Sequence, residues 1–260
     1  MIKLTELMQV LEDKAPLALS HKMIEMGHYD NSGILINTHE DLSGVLFSLD
    51  LSEDAINKAK EHGLDTIVTH HPAIYSPIKE VSVSSSTRPI ALSVREGLNV
   101  ISMHLNLDIA DQGVDEQLAK GLGASKTTII EYVTDKQGYG RLFEVKKQTV
   151  KEFVQSIKTE FGSDKITAYG CNAVEKVASF CGSGGDSAVS AVTSAIDADT
   201  IVTSDLAHHL LKELIERDKN VIVLPHYVSE NYGFNKFFES VESLISTKVK
   251  TFYFEDKRFM

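Results

Sequence analysis

The chain has 260 residues, 42% of them hydrophobic and 24% charged, with a formal net charge of -11. That length supports a substantial core without disulfide staples, as one large domain or two intimately joined lobes. The acidic balance argues against nucleic acid as the main partner, because phosphate neutralisation needs a basic face, and the sequence has no apolar run of about 18 residues that would span a bilayer.

In chain order, the opening residues carry charge where a signal peptide has a long apolar run, and 4–11 reads as an amphipathic helix. A strand is expected over 44–49, a helix over 52–63 and a second strand over 65–69. Residues 82–86 form a polar loop, and a further strand starts at Asn99 and leads through His104 to Asp108. The stretch 123–175 carries its own elements: a strand over 141–145, a helix over 150–161 and a short strand over 165–169. It is assigned to the second lobe, giving lobes of 1–122 and 123–260. There follow a strand over 176–180, the turn Cys181-Gly-Ser-Gly-Gly-Asp186, a helix over 186–196, strands at 199–203 and from Asn220, and a last helix over about 229–245. Phe234, Phe237, Phe238, Val241, Leu244 and Ile245 recur at helical spacing on that helix and are expected in the core. Cys171 and Cys181, the only two cysteines, are expected as small buried hydrophobes in a reducing cytoplasm.

Two short strings recur in the same order. Asp-Thr-Ile-Val-Thr occurs at 65–69 and 199–203, and each copy is followed by a strand opening with Asn-Val-Ile, at Asn99 and Asn220. Embedded in a shared strand–helix–strand frame, they point to an internal duplication. The expected fold is α/β, with two pseudo-repeated lobes whose largely parallel sheets face a shared metal-binding cleft.

The chemistry-bearing residues gather at the carboxyl ends of these strands, where open α/β sheets assemble their sites. His70-His71-Pro72 follows the first Asp-Thr-Ile-Val-Thr, Asp108 closes the Asn99 run, and His226-Tyr-Val-Ser-Glu230 follows the Asn220 strand. Adjacent histidines in a regular strand point to opposite faces, which suits two neighbouring metals with one imidazole each. His226 and Glu230 are four residues apart and share a face on a helical turn, with Pro225 at its start. The expected arrangement puts His70, Asp108 and Glu230 on one ion and His71, His226 and Glu230 on the other, with Glu230 bridging. Two divalent ions outweigh two carboxylates, so the site favours an anionic substrate, and paired ions activate water. Imidazole and carboxylate donors without thiolate suit Zn, Mn, Fe, Co or Ni.

Other candidates are less specific. Asp205 and His208, in Thr203-Ser204-Asp205 with His208-His209, are candidates for substrate contact, and His208 also for acid–base catalysis; the competing reading is a helix N-cap by Ser204 or Asp205. His104 reads as outer support for a ligand or as core. The glycine-rich turn at 181–186 is an anion cradle on one reading and a tight strand-to-helix turn on the simpler one.

As a set, Asp30-Asn-Ser-Gly33, Thr69-His-His-Pro72, His104-Leu-Asn-Leu-Asp108, Gly182-Ser-Gly184, Thr203-Ser-Asp205 with His208, and His226-Tyr-Val-Ser-Glu230 resemble the GTP cyclohydrolase 1 type 2 homologues, the Nif-three-like dinuclear metal proteins. The resemblance runs nearly end to end and places His70, His71, Asp108, His226 and Glu230 on the family's five metal positions. It further implies a homohexameric ring with metal sites facing an internal cavity. The chain departs from the family pattern at Tyr29, where a Trp is usual, and at Ser204 and Pro225, where Gly is usual. Two roles follow. One is a dinuclear metal-dependent hydrolase in which metal-activated water acts on a nucleotide or another phosphate-bearing substrate; the other is a non-enzymatic protein that holds metal for delivery, sensing or partner regulation.

Overall fold

The computed structural model describes residues 2–260. They form two compact units, one made of the residues up to Ala110 together with Phe234–Asp256, the other of Asp111–Gly233 with Lys257–Met260. The expected division at 122/123 does not follow this parting. The last helix, His226–Ile245, begins among residues of the second unit, but its part from Phe234 onward counts with the first. The strand after it, Lys250–Phe254, which was not foreseen, pairs in parallel with Gly44–Ser48 and so adds a strand to the first sheet.

In the first unit the strands Lys250–Phe254, Gly44–Ser48, Thr66–Thr69, Asn99–Ser102 and Gly33–Ile36 lie side by side in that order. All pairs are parallel except the last. Each of the three central strands is buried along its whole length, as the unbroken apolar runs of a covered parallel sheet require. The helix Glu53–His62 is bounded as its sequence dictates: Ser52 Oγ accepts the Ala55 amide at 3.1 Å, and Gly63 ends it in the left-handed region at φ 66°.

The second unit repeats the central motif. Ala173–Ser179, Thr200–Thr203 and Asn220–Val223 are parallel neighbours, and the strands of the 123–175 stretch flank them antiparallel, making a six-stranded mixed sheet. The recurrence of Asp-Thr-Ile-Val-Thr and Asn-Val-Ile has a hydrogen-bonding cause. Asp65 accepts the amides of Ser43 and Gly44 at the foot of the neighbouring strand, and Asp199 accepts those of Glu175 and Lys176. The Asn99 amide donates to the Asp65 carbonyl at 2.9 Å, and the Asn220 amide donates to the Asp199 carbonyl at 2.9 Å. Each asparagine side chain then accepts a loop amide, from Thr38 and Asn172 respectively. Both copies therefore lock three strands at their amino ends and leave the carboxyl ends for chemistry. Burial works to raise the Asp65 carboxyl, but the Ser43 hydroxyl and the Ser43 and Gly44 amides outweigh it and hold Asp65 below the usual carboxylate range.

The aromatic face of the last helix packs as expected, with one exception. Phe234, Phe237, Phe238, Val241 and Ile245 are buried, whereas Leu244 is 51% exposed. At a helical pitch of 3.6 residues, Leu244 falls beyond the edge of the stripe that its neighbours bury. Cys181 is buried and Cys171 is exposed, because Cys171 lies in the turn between the strands Thr167–Tyr169 and Ala173–Ser179. No helix among the described residues is long and apolar enough to cross a membrane.

Phe47 lies at the centre of the first unit's aromatic cluster, with ring centroids 5.2 Å from Phe238 and 6.3 Å from both Phe234 and Phe237. Phe47→Ala is expected to cost about 3–5 kcal/mol of stability in urea unfolding; a loss below about 1 kcal/mol would show that the cluster closes over the gap or is loosely packed.

Candidate metal centre

The strand Thr66–Thr69 stops just before the two histidines, and this decides their orientation. The amides of His70 and His71 both donate to the Leu49 carbonyl, at 3.1 and 3.0 Å, so the chain turns sharply and strand alternation no longer applies. The imidazoles come to lie 5.1 Å apart between centroids. The expectation that they point to opposite faces is thereby corrected. Asp108 also differs from expectation: the strand ends at Ser102, and Asp108 sits in the short helix Leu105–Ile109, with Oδ1 3.3 Å from His70 Nε2.

His104 belongs to this group as well. His70, His71 and His104 each offer a ligand atom, and these atoms all lie within 4.8 Å of one another. His104 thus stands beside the other two rings and is not core. Its Nδ1 lies 2.7 Å from Asp30 Oδ1, and its backbone amide donates to Ser32 Oγ at 3.1 Å.

In the second unit the last helix begins at His226, three residues earlier than its apolar spacing indicates. His226 and Glu230 therefore share a helical face, with Nε2 and Oε2 2.9 Å apart. Beneath them lies Gly182, at φ +54°. A Cβ there would strike Glu230 Oε1 and come within 3.5 Å of His226 Cε1. The glycine-rich turn at 181–186 is accordingly a close-approach turn against this pair, as its simpler reading expects. Its first residue is held from below: the Cys181 amide donates to Asp115 Oδ1 at 3.2 Å, and Asp115 pairs with the buried Arg141 at 2.9 Å.

The four imidazoles share one feature. Nδ1 of His70 meets the Met103 carbonyl at 2.8 Å, and Nδ1 of His71 meets Asp50 Oδ1 at 2.6 Å. Nδ1 of His104 meets Asp30, and Nδ1 of His226 meets Asp205 Oδ2 at 2.5 Å. A carbonyl or an ionised carboxylate can only accept, so in each ring Nδ1 carries a proton, which leaves Nε2 as the nitrogen that an ion could take. This is the outer hydrogen-bonding pattern that orients metal-ligating histidines and raises their basicity. Each unit also supplies a buried carboxylate, Asp108 in the first and Glu230 in the second, so the candidate donors of each are of mixed nitrogen and oxygen type without thiolate, a chemistry that suits a divalent transition ion.

Asp205, a candidate for substrate contact, accepts the His226 Nδ1 proton and so fixes that ring. His208, the candidate acid–base and substrate residue, is exposed at the first position of the helix His208–Glu216. The competing N-cap reading is not met either, because Ala207 holds the cap position and Ser204 donates to Ser229 Oγ at 3.0 Å. The buttresses Asp50 and Met103 escaped sequence reasoning. Asp50 had a signal, a carboxylate just past the carboxyl end of a neighbouring strand; the Met103 carbonyl, a backbone atom, had none.

Asp30 is the most heavily tied carboxylate. Burial works to raise it, yet hydrogen bonds from His104, Ser20 and Ser32 and the charge on His104 outweigh that and leave it below the usual range.

Residues 2–258 match the family model for Duf34/NIF3 (NGG1p interacting factor 3), and the chain belongs to that family. It is 29% identical over 258 residues to a Clostridium perfringens protein named GTP cyclohydrolase 1 type 2 homolog, covering 96% of this chain and 95% of that protein. A Schizosaccharomyces pombe protein named Protein NIF3 homolog is 30% identical over 220 residues, 78% of this chain and 77% of its own. Among solved structures, a Staphylococcus aureus hypothetical protein superposes with a TM-score of 0.86 at 23% identity, covering 98% of this chain and 97% of its own. That likeness carries the two-lobed α/β fold.

Two outcomes are expected. Gly182→Ala displaces Glu230 and should weaken metal loading about tenfold or more by calorimetric titration, the scale seen when a ligand loses its support; wild-type loading would contradict the packing argument. Because Asp30 titrates below its unfolded value, its stabilisation is complete above the usual carboxylate range and is lost as pH falls through the lowered folded value. Asp30→Asn should therefore flatten the dependence of Tm on pH in the acid range, and an unchanged acid limb would count against the network.

Proposed function

We propose that the chain is a dinuclear metal-dependent hydrolase, with His70, Asp108 and Glu230 on one ion and His71, His226 and Glu230 on the other. The observation that carries this reading is the Nδ1 anchoring of His70, His71 and His226, each to an oxygen that can only accept. Anchored so, each ring has Nε2 left to bind an ion, the pattern that outer partners impose on metal-ligating histidines. The name that several relatives carry, GTP cyclohydrolase 1 type 2 homolog, supports an enzymatic role.

The residues have separable tasks. The Met103 carbonyl and Asp50 aim His70 and His71, and Asp205 aims His226. Asp108 and Glu230 supply hard oxygen donors, with Glu230 as the bridge. When bound, a pair of divalent ions supplies Lewis acidity and water of lowered pKa. The two bridging and terminal carboxylates offset only part of the ionic charge, so the protein leaves a net positive site suited to a small anionic substrate, a nucleotide or another phosphate-bearing molecule. Gly182 keeps the floor beneath Glu230 open and the carboxylate in place.

Metal content of purified variants tests the assignment. Glu230→Ala should lose both ions, because it removes the bridge, whereas His226→Ala should lose mainly one. In parallel, hydrolysis screened across nucleotides and phosphate esters should fall by at least about a hundredfold in either variant, equivalent to about 2.7 kcal/mol of transition-state stabilisation. Two ions retained in the Glu230 variant would remove the bridging role. Full metal content with no turnover of any substrate would favour a protein that only holds metal.

A further inference from the structure

Beside the His70–His71–His104 group stands an exposed aromatic pair that the metal reading does not use. Tyr29 is 46% exposed and Tyr75 is 51% exposed, with ring centroids 4.9 Å apart and planes tilted by 60°. Tyr75 in turn meets His104 edge-on, 6.1 Å between centroids at 84°. The pair is held firmly. Asn31 Nδ2 donates to the Ile74 carbonyl at 2.6 Å, tying together the two loops that carry the tyrosines. The Tyr75 hydroxyl donates to the Tyr29 carbonyl at 3.4 Å. The neighbours of Asn31 complete the brace, because Asp30 fixes the His104 ring and Ser32 accepts the His104 amide. Three consecutive side chains thus fix the tyrosines and the imidazole in one frame.

Core packing does not account for this arrangement, since both rings keep about half their surface in water. Large aromatic faces held rigid and wet beside a reactive cluster are characteristic of a ligand surface, in which an apolar wall positions what a few polar groups bind. Rings of this kind stack planar heteroaromatics with little regard to their identity, because every such ring has a π-face.

We propose that Tyr29 and Tyr75 form a stacking platform for a planar heteroaromatic ring, so that the substrate is a base-bearing phosphate and not an aliphatic phosphate ester. The phosphate half of that statement rests on the hydrolase reading above; the ring half rests on the tyrosines and their brace alone. Tyr75 is the principal face, being the ring that touches His104, and Tyr29 supports it.

Calorimetric titration of the full chain, metal-loaded and metal-free, tests this with guanosine 5′-monophosphate, guanosine and ribose 5-phosphate as probes. The nucleotide is expected to bind at least about tenfold more tightly than ribose 5-phosphate, the scale of one stacked base. Tyr75→Ala should abolish that preference while metal content stays at the wild-type level, and Tyr75→Phe should keep it. Guanosine, which has no phosphate, should show the same dependence on Tyr75 with and without metal. If metal fails to bind but guanosine still depends on Tyr75, the hydrolase reading falls and the platform stands. Equal affinity for nucleotide and sugar phosphate in the wild type would overturn the platform, as would a preference that survives in the Tyr29→Ala, Tyr75→Ala double variant. If that double variant instead sediments as a smaller species with its base preference intact, the pair is a contact between copies of the chain and the proposal is wrong.

Discussion

Four ring protons decide how the imidazoles are presented. His70, His71, His104 and His226 all direct Nδ1 at an oxygen without a proton to give, and each imidazole is thereby fixed in one orientation. Two of those oxygens, on Asp50 and Asp205, belong to side chains just past the carboxyl ends of strands, and a third is the Met103 carbonyl one residue beyond a strand. The sheet edge therefore supplies the buttresses as well as the ligands. A ring swung about its Cβ–Cγ bond would forfeit a charge-assisted hydrogen bond or leave a buried carbonyl without its donor, so the protein itself holds the four rings in place.

The duplicated strand motif explains how that edge is built twice. Asp65 and Asp199 staple neighbouring strands at their amino ends, and Asn99 and Asn220 continue the staple to the next strand. With one end of each three-strand core closed by the same hydrogen bonds, the divergence between the copies falls at the other end. There the first copy continues as His70-His71 and the second as Ser204-Asp205. One copy thus places two imidazoles where the other places a hydroxyl and the carboxylate that anchors His226.

Much of this was legible in the sequence, for physical reasons that differ by element. The helices Glu53–His62 and Val150–Phe161 were read to within a residue or so because Ser52, Gly63 and Thr149 act locally. His226 with Glu230 was legible because a spacing of four has one meaning on a helix. The path from Asn99 to Asp108 was misread as continuous strand: the break follows Ser102, where His104 turns to reach Asp30, a partner 74 residues away that no local pattern reveals. The strand Lys250–Phe254 was missed because its place depends on pairing with Gly44–Ser48, some two hundred residues earlier. His208 shares sequence position with His70-His71 but not setting: it opens the helix His208–Glu216 at the surface, because the turn after Thr203 runs four residues before the helix starts.

The most direct measurement is anomalous diffraction from crystals of the zinc-loaded protein, recorded at the metal edge. The account predicts two peaks per chain, bonded through Nε2 of His70, His71 and His226 and through the oxygens of Asp108 and Glu230, with every Nδ1 still on its oxygen partner. A single peak, or ligation through Nδ1 with those partners displaced, would contradict it.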